Sequence, residues 1–319
     1  MNKSRLILTS DELNLFIEGR AKAANISSKS FLVTVLGDVL AVHGQWIWLG
    51  SLIEALGGLG FSERLVRTSV FRLVQDDWLQ TKKVGRRSYY CLSETAKRAN
   101  QKAERRIYAG KLPQWDGRWL LVIPTFVSEP QLSEFRRQLE WQGFSLLSGG
   151  VYAHPSFDKQ SLEETVNERN LSDSVIILSS KTLDSASNGV LKKLVHEKWN
   201  IGELEQAYQQ FLDAYQPVYA HLQQISDGKS EPLNSQQSFL LRILIIHEYR
   251  RILLKDHELP QDMLPSEWQG FTVHQYVSQM YALLAKPSIY YVRQSLFNDD
   301  GGLPQEEPMF WQRFELENT

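Results

Sequence analysis

"ERLVRTSVFRLVQDDWLQTKKVGRRSYYCL" fills residues 63–92, and its two halves follow different periods. In the first half Val66, Val70, Leu73 and Val74 recur every three or four residues and share one side of a helix, with Leu65 at its margin. Arg64, Arg67, Thr68, Phe71, Arg72 and Gln75 fall on the other side. Ser62 stands where an N-cap belongs, and Phe61 and Val66 hold the two positions of a hydrophobic staple. From Trp78 the pattern changes to alternation. Residues 78–84, a turn containing Gly85, and residues 87–92 read as a β-hairpin. A helix with a cationic outer face therefore leads directly into a hairpin whose turn carries Lys82, Lys83, Arg86 and Arg87.

Working outward, three further helical segments precede the cationic helix. "LTSDELNLFIEGRAKAAN" opens on a capping box from Thr9 to Glu12. "SSKSFLVTVLGDVL" at 28–40 is apolar with helical spacing, and "IWLGSLIEALGGLG" at 47–60 reads as a helix ended by glycines. Gly57, Gly58 and Gly60 do not follow a strand and lack the spacing of a phosphate loop, so a tight inter-helix turn is expected. Helices followed by a two-stranded hairpin give the order of a winged helix-turn-helix, assigned here to residues 1–110 together with the N-terminal helix. Ser93 can cap one more helix, "ETAKRANQKAERRIYAG", before the linker "GKLPQWDG" at 110–117.

Beyond the linker the composition changes. "RWLLVI" at 118–123 is a near-continuous apolar run, as in a central strand. Ser128 and Gln131 suggest a capping box for "EPQLSEFRRQLEWQ", with Pro130 in its first turn and Gly143 as its stop. "FSLLSGGVYAHP" offers two short strands, "SLEETVNERN" a helix and "SVIILSS" at 174–180 a buried strand. The order β-α-β-β-α-β over residues 115–186 is that of a ferredoxin-like fold. Residues 190–319 read as mostly helical, broken by "SDGKSEPLNS" and "NDDGGLPQEEP". The fold class expected is α+β in three parts.

Charge is unevenly spread. The 319-residue chain has a net charge of −2, yet residues 60–111 carry thirteen Lys/Arg against five Asp/Glu. A compact basic segment on an acidic body points to a polyanion-binding module on a carrier. Arg64, Arg67 and Arg72 can address guanine edges or phosphates, and Thr68 lies beside them. Phe71 can meet thymine methyl groups or pack beneath the hairpin, and the second is the expectation. Lys82, Lys83, Arg86 and Arg87 can straddle phosphates, and Tyr89 can donate to one or pack within the hairpin.

Other chemistry finds little support. The single Cys91 excludes a disulfide framework and a thiolate metal cluster, and reads as a buried strand residue. The seven histidines form no HExxH or paired-ligand helical spacing, and no GxSxG elbow is present. No catalytic residue, metal or cofactor is expected. The longest apolar run, "FLLRILII" at 239–246, is too short to span a bilayer. No leader is apparent, so the cytoplasm is the expected compartment. Arg242 within that run needs a partner: an ion pair or a snorkelling stem is the ordinary reading, and an anionic ligand shared with Arg250 and Arg251 the functional one.

The segments "WLGSLIEALGGLGFSERLVRTSVFRLVQDDWLQTKKVGRRSYYCLS", "RRIYAG", "WDGRWLLVI" and "IHEYRRILLKDHELPQDMLPSEWQG" strongly resemble the PaaX family of phenylacetate-pathway repressors. The resemblance covers nearly the whole chain, with its segments in the same order. It implies a winged helix, a central ferredoxin-like domain similar to small CRISPR-associated nucleases, and a helical C-terminal domain. It also implies a homodimer that binds a palindromic double-stranded operator until phenylacetyl-coenzyme A releases it, with Arg242, Arg250 and Arg251 as candidate effector ligands. Those nucleases place an aspartate at the end of the first strand, where this chain reads "VIPTF"; Asp116 precedes the strand, which argues against nuclease activity. An acyl-CoA-binding, thioesterase-like enzyme with an appended DNA-binding domain is the alternative, resting on the histidines and aromatic residues of the C-terminal half.

Overall fold

In the computed structural model, which describes residues 8–23, 27–44, 46–109, 115–155, 159–257 and 259–318, helix α1 (Ser10–Ala23) starts at the expected capping box. The Glu12 amide donates to Thr9 Oγ1 (3.2 Å), and the Thr9 amide donates back to Glu12 Oε2 (2.8 Å). Helix α2 (Ser28–His43), strand β1 (Ile47–Trp48), helix α3 (Leu49–Gly57) and helix α4 (Glu63–Gln75) follow. Strands β2 (Leu79–Val84) and β3 (Arg87–Leu92) and helix α5 (Glu94–Ile107) complete the N-terminal segment.

Strands β2 and β3 pair antiparallel from Leu79↔Leu92 to Val84↔Arg87, leaving a two-residue turn. Gly85 occupies it at φ +59°, a left-handed conformation that only glycine adopts at little cost. Strand β1 joins the sheet through Ile47↔Tyr90 and Trp48↔Tyr89, giving the order β1-β3-β2. Here the structure corrects the sequence reading, which placed residues 47 and 48 inside a helix. The Trp48 amide donates to the Phe297 carbonyl (2.7 Å), an extended-chain bond, and the helix begins only where Ser51 Oγ donates back to the Trp48 carbonyl (2.9 Å).

The central segment runs β4 (Trp119–Pro124), α6 (Glu129–Trp141), β5 (Ser145–Ser148), β6 (Val151–His154), α7 (Lys159–Glu168), β7 (Val175–Ser180). Its sheet has the order β5-β6-β4-β7 with every neighbour antiparallel, so the first strand lies between the third and the fourth. That is the strand order of the expected β-α-β-β-α-β fold. Alternation sends Leu120 and Val122 to one face, where they pack with Tyr152, Phe135, Leu139, Leu162 and Val166. Ser128 caps α6 differently from expectation: its hydroxyl donates to Gln131 Oε1 (2.7 Å) rather than accepting from the backbone. Residues 110–114 of the expected linker lie outside the described residues.

Helices α8 (Ser185–Lys198), α9 (Ile201–Ser226), α10 (Ser235–Leu253), α11 (Gln269–Ser295) and α12 (Met309–Gln312) make up the rest. Helix α11 contains Pro287 and continues past it to Ser295. A proline removes one helical hydrogen bond. Leu284 before it and Ile289 and Val292 after it are all buried, which keeps the helix going past the break.

The chain divides into two compact units, one of residues 1–110, 211–250 and 273–319, the other of residues 111–210 and 251–272. Most of α9, α10 and α11, and all of α12, thus share a unit with the N-terminal segment, whereas α8 belongs to the other. A buried charge cluster explains part of this. Asp38 of α2 pairs through Oδ2 with Arg242 Nη2 of α10 (2.8 Å) and through Oδ1 with Arg313 Nη1 (3.0 Å). Arg313 Nη2 also reaches Glu104 Oε1 of α5 (2.5 Å), and Tyr108 donates to Asp38 Oδ1 (2.5 Å). Burial alone would raise the Asp38 pKa, but the two guanidinium groups outweigh it and hold the carboxylate below its ordinary range.

Candidate nucleic-acid interface

Helix α4 is built as its periodicity demands. Ser62 Oγ accepts from the Leu65 amide (3.3 Å), and Val66, Ser69, Val70 and Leu73 are buried. Arg64, Arg67, Thr68, Phe71, Arg72 and Gln75 are all exposed. Trp78 N–H donates to the Leu73 carbonyl (2.9 Å) as the chain leaves the helix. Ser93 then ties that corner down, donating to the Asp77 carbonyl (2.6 Å) while accepting from the Ala96 amide (3.1 Å) at the start of α5. Helix and hairpin are therefore joined by a short, hydrogen-bonded corner, and the cations on both belong to one structural element.

The predicted residues differ in what holds them. Arg64, Arg72, Lys83 and Arg86 are exposed with no ion-pair partner among the described residues. Arg67 pairs with Glu63 one turn back (2.7 Å). Such an exposed pair contributes only about 0.3–0.5 kcal/mol, so a phosphate can displace it. Thr68 donates its hydroxyl proton to the Arg64 carbonyl (2.8 Å). Lys82 is engaged: its Nζ lies 2.6 Å from Asp299 Oδ2 and 4.6 Å from the Trp46 ring centre. The Arg87 guanidinium sits over Trp48, 4.4 Å from the ring centre. Cation–π contact of this kind fixes the direction of a long side chain without removing its charge.

Three expectations are corrected. Tyr89 is only 3% exposed, so it packs inside the sheet and presents no hydroxyl to a backbone phosphate. Phe71, expected under the hairpin, is 62% exposed. Arg242 is 1% exposed and neutralised by Asp38, with Nε donating to Ser288 Oγ and Nη1 to Tyr281 Oη (both 2.8 Å). It is a structural cation, not one awaiting an anionic ligand. Arg250 is different: burial strips water from its guanidinium and holds its pKa below the ordinary value, with only the Tyr108 hydroxyl group opposing. Arg251 is exposed.

Sequence reasoning missed Trp46, Trp48 and Asp299. Trp46-Ile47-Trp48 alternates with period two, the signal that would have assigned β1 and placed both indoles on one face. Nothing in the sequence announces Asp299, which is 217 positions from the lysine it holds. Cys91 is buried in β3, as expected. Among the described residues no group of three or more His, Cys, Asp or Glu is arranged to hold a metal, and no helix is long and apolar enough to cross a membrane.

Three family models match in order along the chain. Residues 27–96 match that described as PaaX-like protein, residues 112–191 the PaaX protein central Cas2-like domain, and residues 199–294 the PaaX-like protein C-terminal domain. The chain is 34% identical over 303 residues to a protein of Escherichia coli (strain K12) named transcriptional repressor PaaX, covering 95% of each. Among solved structures, uncharacterized protein Rv0674 from Mycobacterium tuberculosis covers 79% of this chain and 94% of its own at 19% identity, with a TM-score of 0.45.

Proposed function

This chain belongs to the PaaX family, and from that premise we propose that it is a transcriptional repressor that grips operator DNA with α4 and the β2–β3 hairpin. Membership places it among regulators rather than enzymes. The observation that carries the DNA reading is the exposed set Arg64, Arg72, Lys83 and Arg86, without an ion-pair partner among the described residues, on a helix and the hairpin that follows it. We read α2 to α4 with β1 to β3 as a winged helix-turn-helix: α4 lies in the major groove, and the hairpin turn tracks the adjacent backbone.

The finer reading follows the family. The repressor acts in the cytoplasm as a homodimer, its twofold axis dictating a palindromic operator in front of phenylacetate catabolic genes. Phenylacetyl-CoA releases it by binding the DNA-incompetent arrangement more tightly than the competent one. With Arg242 consumed by Asp38, Arg250 and Arg251 remain the candidate cations for the effector's phosphates.

The test uses the full chain. Fluorescence anisotropy on a duplex from the promoter of such an operon is expected to show tight binding that phenylacetyl-CoA reverses and free coenzyme A does not. Arg67→Ala with Arg72→Ala should abolish specific binding while circular dichroism stays unchanged. Specific binding retained by that double variant would remove α4 from the interface. Thiol release from phenylacetyl-CoA at a steady rate would favour the thioesterase reading instead.

A further inference from the structure

We propose that Phe71 is a base-reading residue of α4 and recognises the 5-methyl group of thymine, so that operator half-sites carry a required A·T pair under it. This rests on the assignment of α4 to the major groove. The argument starts from direction. At about 100° per residue, Arg64, Arg67, Thr68 and Gln75 all lie within roughly 60° of Phe71 on the helix surface. The buried residues Val66, Ser69, Val70 and Leu73 lie on the opposite side. Phe71 thus projects straight away from the core, at the crest of the cationic face.

An aromatic ring at that place is 62% exposed in the free protein, with Arg67 and Gln75 one turn before and after it on the helix. Any duplex drawn in by Arg64 and Arg72 must meet the ring first. The floor of the major groove offers one apolar group, the thymine methyl, and a buried contact with it discriminates thymine from cytosine. The neighbours agree with that assignment. Gln75 stands one turn on from Phe71 and is exposed, and a glutamine amide matches adenine N6 and N7. Thr68 spends its hydroxyl proton on the Arg64 carbonyl, so it has none to offer a phosphate. Phe71 and Gln75 together address the two bases of A·T pairs, while the arginines serve guanine or phosphate.

The experiment separates this inference from its premise. The full chain selects duplexes from a randomised library, and the enriched duplex is resynthesised with deoxyuridine replacing thymidine at one position at a time. That change removes the methyl group and keeps the base pair. Expected for the native chain is a loss of about 3–10-fold at one position in each half-site, the scale of burying one methyl. Phe71→Ala, an exposed position, should fold normally, keep its salt dependence and bind the thymidine and deoxyuridine duplexes equally there. Indifference of the native chain to every replacement, or a Phe71→Ala variant that still discriminates, overturns the proposal. A selection that enriches no sequence would instead overturn the DNA reading of α4, and this inference with it.

Discussion

Replacing Asp38 by Asn tests whether the buried charge cluster holds the first unit together. The change keeps size and removes one negative charge at a site 2% exposed. Arg313 retains Glu104, 2.5 Å away, as a second carboxylate. Among the described residues Arg242 retains the hydroxyl groups of Ser288 and Tyr281 and the faces of the Tyr281 and Phe310 rings. It becomes a buried cation without a counter-charge, a situation that destabilises by about 3–5 kcal/mol. The reverse removal is milder. In Arg242→Met the carboxylate still faces Arg313 and the Tyr108 hydroxyl, and the thioether chain fills the slot between the two rings, so a loss of about 1–3 kcal/mol is expected.

The double variant Asp38→Asn/Arg242→Met should then be more stable than Asp38→Asn alone, because the stranded cation has gone. Urea unfolding of the full chain, followed by tryptophan fluorescence and far-ultraviolet circular dichroism, gives these differences as shifts of midpoint at constant slope. The pH dependence has a definite sign. The folded-state pKa of Asp38 is lowered, so its contribution is full above the ordinary aspartate range and is lost as pH falls through the lowered value. The gap between native and Asp38→Asn should be constant near neutrality and close in acid. If Asp38→Asn lies within about 1 kcal/mol of the native chain at neutral pH, or if adding Arg242→Met deepens its loss, the cluster does not hold the unit together in the way argued.

Two further outcomes follow from the hairpin. Asp299→Asn frees Lys82 from a carboxylate that a phosphate would otherwise have to displace, so duplex binding should tighten at low salt and the slope of log K against log salt should steepen by about 0.9; an unchanged slope would mean that Lys82 never reaches DNA. Gly85→Val forces a β-branched residue to φ +59° where a Cβ meets nothing within 4 Å, so backbone strain should cost about 1–2 kcal/mol, and Gly85→Asn should lose less. Thermal unfolding of the two variants in parallel checks the ranking, and equal losses would contradict it.

Much of this protein is legible from local pattern. A switch from helical to alternating periodicity between Gln75 and Leu79 places α4 and the hairpin, because each period reports which side of an element meets the core. Ser62, Ser93, Thr9 and Gly85 mark their boundaries through capping and turn chemistry that acts over three or four residues. The exposed cations of the interface follow from the same pattern, being what remains once the apolar positions are assigned.

What the tertiary structure alone decided are the pairings between residues distant in sequence. The sequence shows that Arg242 needs a partner and leaves open an ion pair or an anionic ligand; Asp38, 204 positions earlier, is seen against it only in the fold. Lys82 looks free until Asp299 is found beside it, and residues 47–48 look helical until β3 and the Phe297 carbonyl claim their backbone. Periodicity puts Phe71 on the outer side of α4 but does not say whether its ring folds back beneath the hairpin. In the fold its ring is 62% exposed, whereas the Tyr89 ring of β3 is buried. Local sequence specifies the periodic face of each element; only the assembled fold determines which charge is neutralised and which ring is left in water, because both depend on partners that the chain brings together from hundreds of residues apart.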